Sequence, residues 1–182
     1  MWQSMETDGA EIVITRNRRS ERHQFATTED ARNRLGTISE ALSWVGTPFR
    51  DCADTKGRNG GVDCAMLLVR SYVDSGRVPD FDPRPYSNQW HLHQNEEKFL
   101  DWVEEKLGCR RVASPRVGDV IIYQWGRCFA HGAIMINKDE IVHAYAQSRL
   151  CQVSMITETA LNYLKGGKLR PRLYFEVTDG RP

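Results

Sequence analysis

Apolar residues recur at helical spacing in three stretches of the first 107 residues. In the first stretch, Thr37 and Glu40 match a capping box and Gly46 ends the apolar spacing, which predicts a helix between them. The second stretch, residues 64–76, is apolar nearly all round its first turns and predicts a central, buried helix. The third, residues 96–107, carries an apolar stripe with acidic residues in its first turn.

Beyond residue 117 the apolar pattern changes to that of strands. Residues 77–94, which lie before the third helix, hold three prolines and predict an extended segment. The order of helices first and strands afterwards predicts an α+β domain with an antiparallel sheet. The predicted strands are 120–125, 131–136, 141–146, 150–156 and 169–177, with a short helix within 157–165.

The N-terminal segment 1–30 is polar and carries four closely spaced arginines. We expect it to be a solvated, flexible arm, with a docking segment for a larger assembly as the alternative. Glu and Asp are interleaved with the arginines, so a nucleic-acid arm is the least favoured interpretation. Residues 31–182 would then form a single domain that carries the functional site.

Composition excludes several classes of protein. The 182 residues hold 25 Lys+Arg and 24 Asp+Glu, a formal net charge of +1, whereas a sequence-independent nucleic-acid binder has a strong basic excess. No apolar run approaches the roughly 18 residues of a membrane span, and the N-terminus has no secretory apolar core. Five cysteines are an odd and sparse set, which favours synthesis in a reducing compartment over a disulfide framework.

Cys64 is the strongest candidate for chemistry. It follows a glycine-bearing loop and opens the predicted central helix, where unpaired N–H groups and a partial positive charge favour a thiolate. A small buried apolar residue is the alternative interpretation of such a cysteine.

Two histidines on neighbouring predicted strands could serve this cysteine. If the hairpin loop is the three residues 137–139, His131 and His143 point to the same face as diagonal neighbours, whereas a two-residue loop places them on opposite faces. His131 would then be the general base for Cys64, and His143 would hold its ring in the required tautomer.

A metal site is the competing interpretation of the same residue types. His91 and His93, together with Cys52 and Cys64, could supply four ligands. Zinc sites usually show cysteine or histidine pairs at tighter spacing. We therefore expect no metal and no cofactor.

The stretch from Ala41 to Ala146 resembles the NlpC-type cell-wall peptidases, which are papain-like cysteine peptidases, and more narrowly their branch in phage tails and gene-transfer particles. The resemblance implies a papain-like α+β fold in which the helix of the nucleophile packs on a C-terminal antiparallel sheet. The segments that carry it are ALSWVGTPFRD, GGVDCAMLLVRSYVDSG, FDPRPYSNQW, RVGDVIIYQW and AHGAIMINKDEIVHAY.

The resemblance also implies roles for individual residues. Cys64 would be the nucleophile, His131 the base and His143 the orienting residue, and Asp63 would lie near a free amine of the substrate. We place Trp125 on the substrate-binding surface as well. The implied reaction is hydrolysis of the stem peptide of peptidoglycan, typically between γ-D-Glu and the diamino acid.

The chain departs from the family pattern in two places. Ala65 and Met66 stand where general members have Ser-Gly, which implies a reshaped pocket. Residues 49–51 stand where the family often has a tyrosine, which puts that part of the oxyanion site in doubt.

The sequence leaves alternatives open for how the protein reaches the cell wall and for whether it is active. Without a signal peptide, the expected route is synthesis in the cytoplasm and delivery in a virion as part of a phage tail, with other tail proteins as partners and neither nucleic acid nor membrane as a ligand. A structural tail plug that has kept the fold without the activity is one alternative. A related amidase or acyltransferase is the other, because the same trio serves many acyl transfers.

Overall fold

The structure is a computed structural model that describes residues 2–86 and 97–178. Its elements, in chain order, are β1 (Trp2–Asp8), β2 (Glu11–Arg16), β3 (Arg19–Gln24), α1 (Thr28–Ser43), β4 (Asp54–Thr55), β5 (Gly61–Val62), α2 (Cys64–Asp74), α3 (Lys98–Glu105), β6 (Cys109–Val112), β7 (Val120–Trp125), β8 (Cys128–Met135), β9 (Glu140–Tyr145), β10 (Leu150–Met155), α4 (Thr159–Asn162) and β11 (Arg172–Val177). His91 and His93 lie outside the described residues, as does the end of the predicted extended segment.

Six strands form one antiparallel sheet in the order β10-β9-β8-β7-β11-β6. Strands β7 to β10 are neighbours in sequence and in space, while β11 returns to lie between β7 and β6. Helix α2 packs against β8 and β9 as well as against α1. The predicted α+β class is therefore confirmed, including the helix that begins at Cys64 and its packing on the C-terminal sheet.

The sequence of α2 explains why this helix is central. Asp63 occupies the N-cap position, and its side chain accepts a hydrogen bond from the backbone N–H of Met66 at 2.8 Å. The helix is apolar on most of its circumference, and Met66 and Leu67 are fully buried. It is followed by Gly76, which has a φ of +75° and so takes the left-handed conformation that ends many helices.

Helix α1 begins at Thr28, more than two turns before the predicted cap at Thr37. Its N-cap is Thr27, whose hydroxyl accepts from the N–H of Asp30 at 3.0 Å. Thr37 lies inside the helix instead, and its hydroxyl donates to the carbonyl oxygen of Asn33. The predicted capping box was therefore wrong, because an earlier cap satisfies the open N–H groups.

Residues 2–24 form a three-stranded antiparallel sheet, β1-β2-β3, and not a flexible arm. Strand β2 supplies the apolar contacts, since Ile12 and Ile14 are buried in the main core cluster. Helix α1 packs on β1 and β2. The prediction failed because one short apolar strand is flanked by two polar strands, so the average composition of the segment hides its core-facing residues.

A buried arginine joins α1 to the sheet. Arg34 donates to Asp119 at 2.6 Å, to Glu176 at 2.6 Å and to Asp30 at 2.7 Å. Gly118, with a φ of +79°, allows this approach because a Cβ at that position would lie 3.1 Å from the Cβ of Arg34. The Gly-Asp pair before β7 therefore anchors the first helix.

Within the described ranges, no helix is both long enough and apolar enough to cross a membrane.

Candidate active site

The thiol of Cys64 lies at the first position of α2, beside a distortion of the sheet. Pairing between β7 and β8 shifts register between Tyr123 and Gln124, which leaves Ala130 as the bulged residue. The thiol donates to the carbonyl oxygen of Ala130 at 3.8 Å, and the backbone N–H of Gly132 also bonds the sulfur. Since bulges release backbone groups from the ladder, the carbonyl oxygen of Ala130 is available to the thiol. The sulfur therefore contacts the backbone on both sides of residue 131.

The close approach of the helix to β8 depends on Gly132. A Cβ at this position would lie 2.7 Å from Cδ1 of Leu68 and 2.9 Å from the ring of Phe99. Leu68 and Phe99 are both buried, so a side chain at position 132 would force their side chains out of their packed positions. Gly132 therefore lets the helix of the nucleophile approach the strand of the candidate base.

The two histidines meet as the three-residue loop predicts. Strands β8 and β9 pair Met135 with Ile141, the register expected for the loop 137–139. Nε2 of His131 and Nδ1 of His143 are 2.9 Å apart. The structure thus brings the two predicted rings together as diagonal neighbours on one face.

This contact determines which nitrogen of His131 is left for the cysteine. Because Nε2 of His131 is engaged by His143, Nδ1 is the nitrogen of His131 that remains as a proton acceptor. A neutral His131 with a free lone pair on Nδ1 carries its proton on Nε2. This N–H then donates a hydrogen bond to Nδ1 of His143. The arrangement is compatible with the roles expected of the three residues.

Burial keeps both imidazoles neutral. His143 is 0% and His131 is 7% exposed. Burial lowers the pKa of His143 to about 4. Burial, with contributions from His143 and Arg170, lowers the pKa of His131 well below its usual value.

The pKa of the Cys64 thiol differs from the one expected from the sequence. Burial, followed by the neighbouring charge of Asp63, raises the pKa of Cys64 to about 12. The N–H groups of Gly132, Cys64 and Ala65 lower this pKa in part. The expectation of a depressed pKa is therefore wrong for the resting site, because desolvation outweighs the helix N-terminus.

This state of the thiol has a measurable consequence. The rate of Cys64 alkylation by iodoacetamide should rise with pH throughout the range from about 7 to 10, without a plateau near neutrality, because the thiolate fraction keeps growing. Peptide mass spectrometry after timed alkylation measures this rate, with Cys64→Ala as the background control. A plateau below about pH 8 would show instead a preformed thiolate and contradict the assignment.

Asp63 has a structural role that was not expected from the sequence, which placed it only near a free amine of the substrate. Its carboxylate accepts from the N–H of Cys52 at 2.7 Å and from the N–H of Met66 at 2.8 Å. The hydroxyl of Tyr86 contacts both of its oxygens, at 2.8 and 2.9 Å. With 4% exposure, the carboxylate is occupied by the protein, so a substrate amine would have to displace Tyr86 to reach it.

Tyr86 is a site residue that the sequence interpretation missed. It lies within the segment FDPRPYSNQW, but its distance from Cys64 along the chain gives no sign that it reaches Asp63. Arg84 positions this part of the chain by donating to the carbonyl oxygen of Cys52 and to Asp54. A phenol therefore reaches the residue beside the nucleophile from a different loop than residues 49–51, where the family pattern often has a tyrosine.

Trp125, which the sequence interpretation places on the substrate-binding surface, borders the candidate base. Its ring centroid is 5.4 Å from that of His131 and 5.9 Å from that of Tyr145. The guanidinium of Arg170 lies 4.1 Å from the Trp125 centroid. Tyr145, which the sequence interpretation did not single out, completes an aromatic wall around the imidazole.

No cluster of three or more His, Cys, Asp or Glu side chains positioned to hold a metal occurs in the part of the chain that the structure describes. The cysteine and histidines of the candidate trio are held instead by hydrogen bonds to backbone and side-chain groups.

Comparison with known proteins gives matches among solved structures only, since no family model and no curated protein matches the chain. The peptidoglycan hydrolase RipB from Mycobacterium tuberculosis has a TM-score of 0.51 at 17% identity, covering 84% of this chain and 68% of RipB. Rv1477, a hypothetical invasion protein of the same organism, has a TM-score of 0.50 at 15% identity, covering 86% and 67%. RipD, a non-catalytic NlpC/p60 domain protein from M. tuberculosis, is similar with a TM-score of 0.47 at 17% identity, covering 80% and 98%. At these identities the matches to RipB and Rv1477 show a shared papain-like α+β fold and no more.

Proposed function

We propose that the protein is a cysteine endopeptidase that hydrolyses the stem peptides of peptidoglycan. The observation that carries the proposal is the 2.9 Å contact between His131 and His143 on adjacent strands, next to the strand bulge that receives the thiol of Cys64. The fold shared with the peptidoglycan hydrolase RipB supports the same conclusion.

The geometry suggests how the thiol is activated. In the resting site the thiol is protonated and the imidazoles are neutral, so proton transfer to Nδ1 of His131 accompanies attack of the sulfur on the substrate carbonyl. The resulting imidazolium donates from Nε2 to Nδ1 of His143. The backbone N–H of Cys64, at the open end of α2, would stabilise the oxyanion.

The remaining steps return the site to its starting state. As the tetrahedral intermediate collapses, the peptide C–N bond breaks and His131 gives its proton to the departing amine, which leaves a thioester on Cys64. A water molecule, deprotonated by His131, then attacks the thioester carbon, and the C–S bond breaks as the imidazolium returns its proton to the sulfur. The products are a carboxylate, a free amine and the regenerated thiol.

The proposed bond is the one between γ-D-Glu and the diamino acid of the stem peptide. Its support is the resemblance of residues 41–146 to NlpC-type peptidases. Delivery as part of a phage tail, with other tail proteins as partners, belongs to the same proposal and has the same support. The virion is accordingly the proposed location.

The test is mass spectrometry of the fragments that the purified protein releases from cell-wall sacculi. We expect peptides that begin with a newly freed diamino-acid amine, matched by stems that end in D-Glu. Cys64→Ala protein is the control for contaminating hydrolases. Fragments cut at another amide would favour the amidase alternative, and a lack of release by the wild type would favour the structural plug.

A further inference from the structure

The hydrogen bonds of the candidate site continue beyond the two histidines to strand β10. Nε2 of His143 lies 3.0 Å from Oγ of Ser154, and the side-chain amide of Gln152 donates to that same oxygen at 2.9 Å. We propose that Ser154 is a positioning residue, whose hydroxyl oxygen keeps the ring proton of His143 on Nε2. This inference rests on the proposed function and concerns a residue that the catalytic trio does not include.

Strand register places Ser154 where this role requires it. Gln152 is directly opposite His143 in the β9–β10 pair, so Ser154 is the diagonal neighbour of His143. His143 has the same diagonal relation to His131 across β8 and β9. Three polar side chains therefore form a line across three strands, on one face of the sheet.

Burial makes the outer contact necessary. All six residues of β9 are buried, and His143 is 0% exposed. A ring nitrogen at this depth needs a protein partner in place of water. Ser154, itself 6% exposed, is the partner that the structure gives to Nε2 of His143.

The direction of the hydrogen bonds along this line decides whether His131 can act as a base. If His143 donates from Nε2 to Ser154, its Nδ1 accepts from Nε2 of His131, and Nδ1 of His131 is free to take the thiol proton. If Ser154 donates to His143 instead, the direction reverses and Nδ1 of His131 already carries a proton. Only the first direction also stabilises the imidazolium that forms during attack.

Gln152 supports this arrangement by fixing the position of the hydroxyl oxygen. Its amide N–H binds Oγ of Ser154, and this oxygen has two lone pairs, enough for both the amide and the imidazole. The pair is contained in one strand, two residues apart, so its geometry does not depend on a flexible loop.

The test compares Ser154→Ala and Ser154→Thr with Ser148→Ala, a control in the β9–β10 turn whose hydroxyl bonds the carbonyl oxygens of Tyr145 and Leu150. Long-range ¹H–¹⁵N correlation of the histidine rings reports the tautomer of His143. We expect the Nε2–H form in the wild type and in Ser154→Thr, and a mixed or reversed form in Ser154→Ala. The kcat for stem-peptide hydrolysis should fall about tenfold in Ser154→Ala with KM unchanged, and should recover in Ser154→Thr.

The two readouts separate this inference from the proposed function. An unchanged tautomer together with an unchanged kcat in Ser154→Ala would overturn the role of Ser154. A wild type that shows the Nε2–H tautomer but releases no peptides would refute the proposed function, and the tautomer of Ser154→Ala would still decide the role of Ser154. An equal loss of kcat in Ser148→Ala would assign the effect to general disturbance of the strand pair and overturn the inference too.

Discussion

Replacing Cys64 with alanine should lower the rate of stem-peptide hydrolysis by about 10⁴-fold or more, because the thioester forms on this sulfur. The Cys64 thiol lies at the bulge beside His131, whereas the thiol of Cys52 is directed to the carbonyl oxygen of Tyr86. The measurement is the initial rate of cleavage of a defined stem peptide by liquid chromatography and mass spectrometry. Far-UV circular dichroism should show that the variant keeps the fold.

Two further variants make this prediction specific. Cys109→Ala removes a half-buried thiol from β6, at the far edge of the sheet, and should leave the rate unchanged. His131→Ala should cause a loss similar to that of Cys64→Ala, and the double variant should be no slower than either single variant, because the two groups act in one step. Retained activity in Cys64→Ala, or losses that multiply in the double variant, would contradict the proposed mechanism.

The neutral resting state of the site fits a peptidase whose thiol is activated only with substrate bound. Desolvation opposes charge on the sulfur and on both rings. Charge would develop only as the sulfur attacks the substrate carbonyl, where the N-terminus of α2 stabilises the negative charge on the oxygen. The acid limb of the kcat/KM profile should therefore lie below the usual pKa of histidine.

The hairpin that carries the histidines could be predicted from the sequence for a local physical reason. Two apolar runs flank a short polar turn, and the alternation of faces allows only odd loop lengths to bring His131 and His143 together. The structure has that register. Short-range pattern and turn chemistry are enough to specify such an element.

Long-range contacts explain what the sequence could not predict. Arg34 lies before the helix that the sequence predicts, and its partners Asp119 and Glu176 are 85 and 142 positions away. The pKa of Cys64 is set by burial, by the neighbouring charge of Asp63 and by N–H groups of α2 and β8. A local sequence pattern shows neither that a charged side chain is buried nor how far packing removes water from a thiol.

Replacing Arg34 with methionine should destabilise the protein by about 3–5 kcal/mol, the cost of leaving a buried carboxylate without its cation. Asp119 is 1% exposed and would lose the guanidinium that lies 2.6 Å from its oxygen. Burial already raises the pKa of Asp119, and the loss of Arg34 would raise it further. Urea denaturation at neutral pH measures the change in the free energy of unfolding, and an unchanged m-value shows that unfolding is still two-state.

Controls distinguish the buried charge from loss of packing. Arg116 also pairs with Glu176 but is 43% exposed, so Arg116→Met should cost about 1 kcal/mol or less. Adding Asp119→Asn to Arg34→Met should recover part of the lost stability, because it removes the unpaired charge. In Arg34→Met alone, stability should rise as pH falls through the raised pKa of Asp119, since the folded state then binds the extra proton. If Arg34→Met and Arg116→Met cost the same, the cluster would not be what anchors α1 to the sheet.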